Sequence, residues 1–246
     1  MAQTKIKRKQ FSDDGWIPAN ETWTYASADD PTYTFTISAF DATAKYSAGM
    51  KVKLTQSTGG TKFAIITKVV FDDPGSTITA YFGTDYNLEN EAITLPYYSL
   101  VKAPFGFPLA PDKWTVQYIN ADQEVQATPT GSTWYNIGSN LLSVPIGSWY
   151  LSYKANVYVV DATAGLWHVL STLSTANNSE SNVNFTTWTF AESVKQLCGN
   201  HYAENLIGLA SKTTYYLNAM TLSAGLDNLY VGLYEMVIIR AVCAYL

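Results

Sequence analysis

Residue types that often carry catalysis are scarce in this 246-residue chain, which contains two histidines and two cysteines. Cys198 and His201 lie in one short polar segment, so a thiol–imidazole pair is conceivable there. No neighbouring residue supplies the context that activates such a nucleophile. His168 lies in phase with Leu166 and Leu170, which favours a hydrogen-bonded structural histidine. Buried free thiols are the expected state of both cysteines.

Paired carboxylates could hydrolyse a glycosidic bond, and the chain has three acidic pairs. Asp29–Asp30 and Asp72–Asp73 both precede proline, and Asp13–Asp14 precedes Gly15, so turn formation accounts for all three. Adjacent residues of a strand also face opposite ways. Calcium-loop, phosphate-loop, nucleophile-elbow and paired-cysteine motifs are missing from the sequence. We therefore predict no catalytic residue, no metal, no cofactor and no enzymatic activity.

Aromatic side chains are the remaining candidates for a binding role, because the apolar faces of sugar rings suit aromatic platforms. The candidates for contact with a glycan are Tyr158, Trp167, Trp188 and Tyr202. Packing inside the fold is the competing role, and burial tendencies favour it for Trp167 and Trp188.

Strands must position these residues, because apolar side chains recur with a period of two along the chain. In the segment 32–37, Tyr33, Phe35 and Ile37 fall on one face and three threonines fall on the other. Successive side chains of a strand point to opposite faces, so this pattern is typical of a half-buried strand. The sequence predicts an all-β protein.

Turn chemistry divides the chain into four regions. Residues 1–14 form a basic N-terminal arm, and 15–102 contain short strands with tight turns, which favour closure into a small β-barrel-like domain. Residues 103–133 are rich in proline and are predicted to be a linker or neck. Residues 134–246 contain long strands with polar loops, which favour a β-sandwich.

Charged residues make up 14% of the chain, against about 25% in ordinary soluble domains. Most of the deficit lies in the second half, and hidden subunit contacts would explain it. The last strand has apolar residues on both faces, so one face is expected to meet the sandwich core and the other a neighbouring subunit. The candidates for a trimer interface are Val237, Ile239, Ala241 and Cys243.

The net charge of −5 argues against general affinity for nucleic acid. No apolar run reaches the length of a membrane span, and no signal peptide is visible, so we expect synthesis in a cytoplasm without membrane insertion. The basic arm is either a solvated tail or a segment that docks on an acidic partner. Its cations are Lys5, Lys7, Arg8 and Lys9.

The first 110 residues resemble a module at the N-terminus of bacteriophage and prophage virion proteins of the tail, fibre or minor structural kind. The resemblance rests on DGWIPANETWTYAS (14–27), DATAKYSAGMKVKLTQS (41–57), TKFAIITKVVF (61–71), GTDYNLENEAITLPYYS (83–99) and KAPFGFP (102–108). Residues around Ala39–Phe40 depart from it, where the module has a tight glycine-containing turn. The resemblance implies a virion location, a role in attachment or assembly, and no catalytic residues.

The second half looks like the trimeric jelly rolls of the tumour-necrosis-factor and complement type, on strand spacing and the apolar final strand. We expect a homotrimeric tail or fibre component that attaches to the host. It would bind other virion proteins through the arm, which is then a virion anchor, and a host cell-surface glycan through its loops. The alternatives are a head decoration or head-fibre protein with an assembly role, and a glycan-degrading tail enzyme.

Overall fold

The computed structural model describes residues 14–232 and 235–246. Within these residues the fold is all-β, with 57% of them in strands and no helix of seven or more residues. Short 3-10 turns occupy Ala42–Ala44, Pro111–Trp114, Ile137–Ser139 and Val183–Phe185. The strands form two sheets, one of which is nearly barrel-shaped. The predicted all-β class is therefore confirmed.

The described chain divides into two compact units. The first unit comprises residues up to Thr115 together with Pro145–Ser148 and Cys243–Leu246, and the second comprises Val116–Val144 and Trp149–Val242. The predicted domains are continuous in sequence. In the structure, by contrast, the two short later segments belong to the first unit.

The first unit contains a seven-stranded antiparallel sheet in the order β1-β7-β4-β5-β6-β3-β2. Its strands are β1 (Ile17–Pro18), β2 (Thr24–Asp29), β3 (Thr32–Ile37), β4 (Lys51–Gln56), β5 (Gly60–Asp72), β6 (Gly75–Tyr81) and β7 (Thr94–Ser99). The acidic pairs Asp29–Asp30 and Asp72–Asp73 lie where β2 turns into β3 and β5 into β6, as their turn chemistry predicts.

The core of the first unit forms on the predicted face of β3. Tyr33, Phe35 and Ile37 are 3%, 0% and 2% exposed. The ring of Phe35 lies 5.6 Å from that of Trp23 and 6.0 Å from that of Phe82. Alternation puts Tyr33, Phe35 and Ile37 on one face of β3. Pairing with both β2 and β6 keeps that face inward, because a slip of β3 by one residue would turn these side chains outward.

The second sheet has eight strands, which are β8 (Thr115–Asn120), β9 (Glu124–Ala127), β10 (Leu141–Val144), β11 (Gly147–Ser174), β12 (Thr187–Leu209), β13 (Thr213–Thr221), β14 (Asn228–Val231) and β15 (Val237–Cys243). The path β10-β13-β11-β14-β9 is hydrogen-bonded throughout, β12 also pairs with β11, and β15 pairs with β11 and β8.

Strand β11 is the hub of the second sheet. It is 28 residues long and pairs with β12, β13, β14 and β15. The sequence divides this stretch into two candidate strands, whereas the chain continues through Asp161–Gly165 as one strand. Alternation puts six residues on one face of its first half, and exposures of 0–1% show that this face points inward. The set comprises Trp149, Leu151, Tyr153, Ala155, Val157 and Val159.

The proline-rich segment 103–133 is not a free linker, which corrects the prediction. Its prolines stand outside the strands, and the residues between them form β8 and β9. Strand β9 pairs with β14, from Glu124 opposite Val231 to Ala127 opposite Asn228. Proline content predicts interruptions of a sheet, but it does not exclude short strands between the prolines, because other strands supply their hydrogen-bond partners.

The apolar residues between Leu229 and Leu246 read in sequence as one candidate strand, but the structure divides them. Two strands, β14 and β15, occupy this region. Gly232, between them, has a φ of 84°, a left-handed conformation that ends a strand and that glycine adopts at little cost.

Replacement of Phe35 by alanine should lower the free energy of unfolding by about 3–5 kcal/mol, because it leaves a cavity between buried aromatic rings. Thr36→Ala, at the exposed next position of β3, is the matched control and should change it by less than about 1 kcal/mol. Urea unfolding monitored by tryptophan fluorescence measures both variants. Equal losses would contradict the assigned inward face.

Candidate functional site

An exposed stack of aromatic rings on the second unit is the candidate site. Trp188 and Phe190 are 61% and 53% exposed. Their rings are stacked, with centroids 5.4 Å apart and planes inclined by 16°. The His168 ring is also stacked with Phe190, at 5.9 Å and 21°. We call these three residues the aromatic stack.

Strand geometry explains why these three rings meet. Trp188 and Phe190 are alternate residues of β12 and therefore project from the same face, while the half-buried Thr187 and Thr189 project from the other. His168 lies on β11, which pairs with β12. The aromatic stack is thus a cross-strand cluster on the outer face of the sheet.

Apolar side chains near the aromatic stack are also exposed. Leu166, in phase with His168 on β11, is 48% exposed, and Leu222 is 47% exposed. Leu222 directly follows Thr221, which pairs with Val169 of β11. Exposed apolar residues that cluster in this way are typical of surfaces that contact another molecule.

The inner face of β12 carries a hydrogen-bonded polar network instead. His201 is 3% exposed, and its Nδ1 lies 2.6 Å from the Ser171 hydroxyl. Its Nε2 lies 3.1 Å from the Thr189 hydroxyl. Burial among these neutral groups lowers the pKa of His201 to about 4, so the imidazole is neutral near pH 7.

Tyr153 completes this buried network from β11. Its hydroxyl donates to the Phe185 carbonyl at 3.1 Å and lies 2.6 Å from the Thr187 hydroxyl. It also lies 3.0 Å from the Ser171 hydroxyl. Each polar atom that enters the interior here has a partner, as burial requires.

The conceivable Cys198–His201 pair is not assembled. Cys198 is exposed, whereas His201 points to the interior and has hydroxyl groups at both ring nitrogens. An odd spacing of three residues along a strand places the two side chains on opposite faces. Of the two thiols expected to be buried, only Cys243 is buried.

The four aromatic residues predicted to contact a glycan fall into two groups. Tyr158 and Trp167 are only 9% and 8% exposed, and the Trp167 indole donates to the Val194 carbonyl at 2.6 Å. These two side chains therefore pack within the unit. Trp188 and Tyr202, at 61% and 59% exposure, are available at the surface. For Trp188 this is the opposite of the packing role that burial tendencies favoured.

Sequence reasoning missed Phe190 and the position of His168 beside it. The alternation Trp188-Thr189-Phe190 contains the signal, because it places two aromatic rings on one face of a strand. His168, predicted to be a hydrogen-bonded structural histidine, stacks on Phe190 instead, and the hydrogen-bonded histidine is His201.

The four proposed trimer-interface residues, Val237, Ile239, Ala241 and Cys243, are 0–2% exposed within the chain itself. Their face of β15 therefore belongs to the interior, and the assignment of this face to a subunit contact is corrected. The opposite face carries Ile238, Arg240 and Val242, so a charge interrupts it. Lys5, Lys7, Arg8 and Lys9 lie outside the described residues.

Within residues 14–232 and 235–246, histidine, cysteine and acidic side chains form no group of three that could hold a metal ion. The same part of the chain contains no helix that is long and apolar enough to span a bilayer.

No family model matches the chain, and no curated protein matches it. Solved structures show weak similarity. Dimeric latent PorU from Porphyromonas gingivalis is 9% identical with a TM-score of 0.30, over 92% of this chain and 24% of PorU. Infectious bursal disease virus of the Gx strain is 10% identical with a TM-score of 0.30, over 94% of this chain and 62% of the viral chain.

The VP2 subviral particle of infectious bursal disease virus is 13% identical, with a TM-score of 0.28, over 91% of this chain and 63% of that chain. The chain thus spans less than two thirds of the length of each of these structures. Similarities of this strength assign neither a family nor a function.

Acidification should destabilise the second unit through His201. The unfolded imidazole gains a proton below its ordinary pKa of about 6.5, whereas the folded one resists protonation down to about 4. The contribution of neutral His201 to the free energy of unfolding is therefore present above pH 6.5. It is lost as the pH falls toward 4, by about 2 kcal/mol at pH 4.5. Urea unfolding at neutral pH and at pH 4.5 measures the loss.

His201→Gln is the control for this titration, because glutamine can bond the same hydroxyls without gaining a proton in this range. The variant should lose about 2 kcal/mol less than the parent chain on acidification. Equal losses in the two proteins would show that carboxylates alone carry the acid sensitivity.

Proposed function

We propose that this chain is a structural component of a bacteriophage virion that attaches the particle to its host. The first unit and the basic arm would hold the protein on the virion, and the second unit would present the aromatic stack to the host surface. The sequence resemblance of the first 110 residues supports the virion location. The exposed aromatic stack supports attachment.

The aromatic stack is the observation that carries the attachment role. Large apolar rings at 61% and 53% exposure keep unfavourable contact with water unless a ligand covers them. Two stacked, nearly parallel rings at alternate positions of β12 offer an exposed apolar face of the kind that the flat face of a sugar ring can cover. A host cell-surface glycan is therefore the proposed partner.

Two acidic residues of the second unit, Asp161 and Glu204, make structural hydrogen bonds that favour attachment over cleavage. Asp161 accepts hydrogen bonds from the Thr163 amide at 2.7 Å and the Thr163 hydroxyl at 2.6 Å. Glu204 accepts one from the Tyr202 hydroxyl at 3.0 Å. Neither carboxylate is paired with a second one in these contacts, as a glycosidase would require.

Replacement of both Trp188 and Phe190 by alanine should reduce binding of the purified protein to host cells by tenfold or more, because each ring contributes about 1 kcal/mol or more to stacking. Leu206→Ala, at another exposed apolar position of β12, should leave binding unchanged. Flow cytometry with fluorescently labelled protein measures all three proteins. Unchanged binding of the double variant would exclude the aromatic stack as the contact surface.

Immunogold labelling of intact particles tests the location and separates attachment from assembly. Gold at the tail or fibre tips supports the proposal, whereas gold on the head would favour the alternative decoration role. Competition provides a second test, because free protein should block adsorption of the phage to its host.

We also propose that the protein is a homotrimer, which would add avidity to a weak contact at each aromatic stack. The low content of charged residues, 14% of the chain, supports hidden subunit surfaces. Light scattering coupled to size exclusion should give about three times the 27.1 kDa mass of one chain. A stable monomer would contradict this proposal.

A further inference from the structure

A shallow groove crosses three strands on the outer face of the second unit, apart from the aromatic stack. Its volume is about 300 Å³, at the lower end of the range for small-ligand sites. Ser152 and Lys154 of β11 line it in the middle, Tyr202 and Glu204 of β12 on one side, and Ile238, Arg240 and Val242 of β15 on the other.

Arg240 is the cation available in this groove. Its Nη2 donates to the neutral Gln117 amide oxygen at 3.2 Å. The other cation of the groove, Lys154, forms an ion pair with Glu235 at 2.6 Å. Lys154 is thus neutralised by Glu235, whereas Arg240 keeps further N–H donors for an anion.

Tyr202 supplies the apolar element of the groove. Its side chain is 59% exposed, and its hydroxyl donates to Glu204 at 3.0 Å. Because Tyr202 and Glu204 are alternate residues of β12, they share a face, and this bond holds the ring beside the carboxylate. The groove therefore presents an aromatic face and a hydrogen-bond acceptor on one wall.

The two walls differ in charge. Strand β11 pairs with both β12 and β15, and two strand spacings separate Glu204 from Arg240 by about 10 Å. A ligand that lies across β11 would meet a guanidinium at one end and an aromatic ring with a carboxylate at the other. A carboxylate on the ligand fits the planar fork of arginine, and hydroxyl groups fit Glu204.

We propose that this groove binds a saccharide that carries a carboxylate, with the acidic group on Arg240 and a sugar ring on Tyr202. Glu204 and Ser152 accept hydrogen bonds from the sugar hydroxyls. This inference rests on the proposed attachment function, because it names the chemical class of the host glycan. It gives that glycan a second contact, separate from the one at the aromatic stack.

Binding of matched saccharide pairs tests this inference. The probes are tetrasaccharides that contain glucuronate or galacturonate, each with its carboxyl-reduced counterpart, titrated into the full-length protein by calorimetry. At least one acidic tetrasaccharide should bind tenfold or more tightly than its reduced counterpart, and the preference should weaken with added salt. Equal affinities within both pairs, or no binding of either acidic probe, would overturn the proposal.

Four variants assign the contacts. Arg240→Gln should remove the preference for the acidic probe, and Arg240→Lys should retain part of it, because lysine keeps the charge but not the fork. Tyr202→Ala should weaken both members of a pair. Lys195→Gln, an equal loss of charge at an exposed position of β12, is the control and should bind as the parent does. A preference that survives Arg240→Gln would contradict the site.

The outcomes also separate this inference from the attachment function. If free protein blocks phage adsorption and Arg240→Gln blocks it equally well, the acidic-saccharide site is wrong and attachment stands. If free protein fails to block adsorption, the attachment function fails, whatever the saccharide titrations show.

Discussion

The second unit depends on one constraint, which is that β11 must bury one side along most of its length while both of its edges are hydrogen-bonded. Four other strands take their register from it. A shift by one residue would expose Trp149 and Tyr153 and bury Lys154. Pairing with a single long strand therefore sets which side of β12 and β15 faces inward, and with it the whole outer surface.

The interior that follows from this constraint is unusual in its polarity. Tyr153, Ser171 and His201 form a hydrogen-bonded network where aliphatic side chains would ordinarily pack. Such a network is favourable only when every member is satisfied, so it ties β11 and β12 to one relative position. Because the network fixes the position of β12, it also helps to hold Trp188 and Phe190 stacked on the opposite side of that strand.

The outer surface of the second unit combines two kinds of contact. The aromatic stack is apolar, whereas the groove between β12 and β15 contains Arg240 and Glu204 in addition to Tyr202. Glycans present apolar ring faces and polar substituents on the same molecule, so two surfaces of this kind are complementary to different parts of one ligand class. Affinity at each surface is expected to be modest, and several copies would multiply it.

Much of the local structure could be predicted from the residue pattern. Strand β3 has the predicted bounds, the acidic pairs before proline form turns, and the inward side of β11 follows from alternation. The candidate site was predictable only in part, because alternation shows that Trp188 and Phe190 share a face but not whether that face is inside or outside. In β15 both faces are apolar in the sequence, so the pattern does not show which face points inward. Only the structure shows that Ile239 is buried whereas Ile238 is partly exposed.

The sequence by itself determined the all-β class, the turns and the period-two faces, because these depend on neighbours along the chain. Tertiary structure alone decided that residues between the prolines of 103–133 join the second sheet, that His201 is buried away from Cys198, and that Arg240 lies across β11 from Tyr202. Each of these depends on pairing between strands far apart in sequence, and local pattern carries no information about which strands become neighbours.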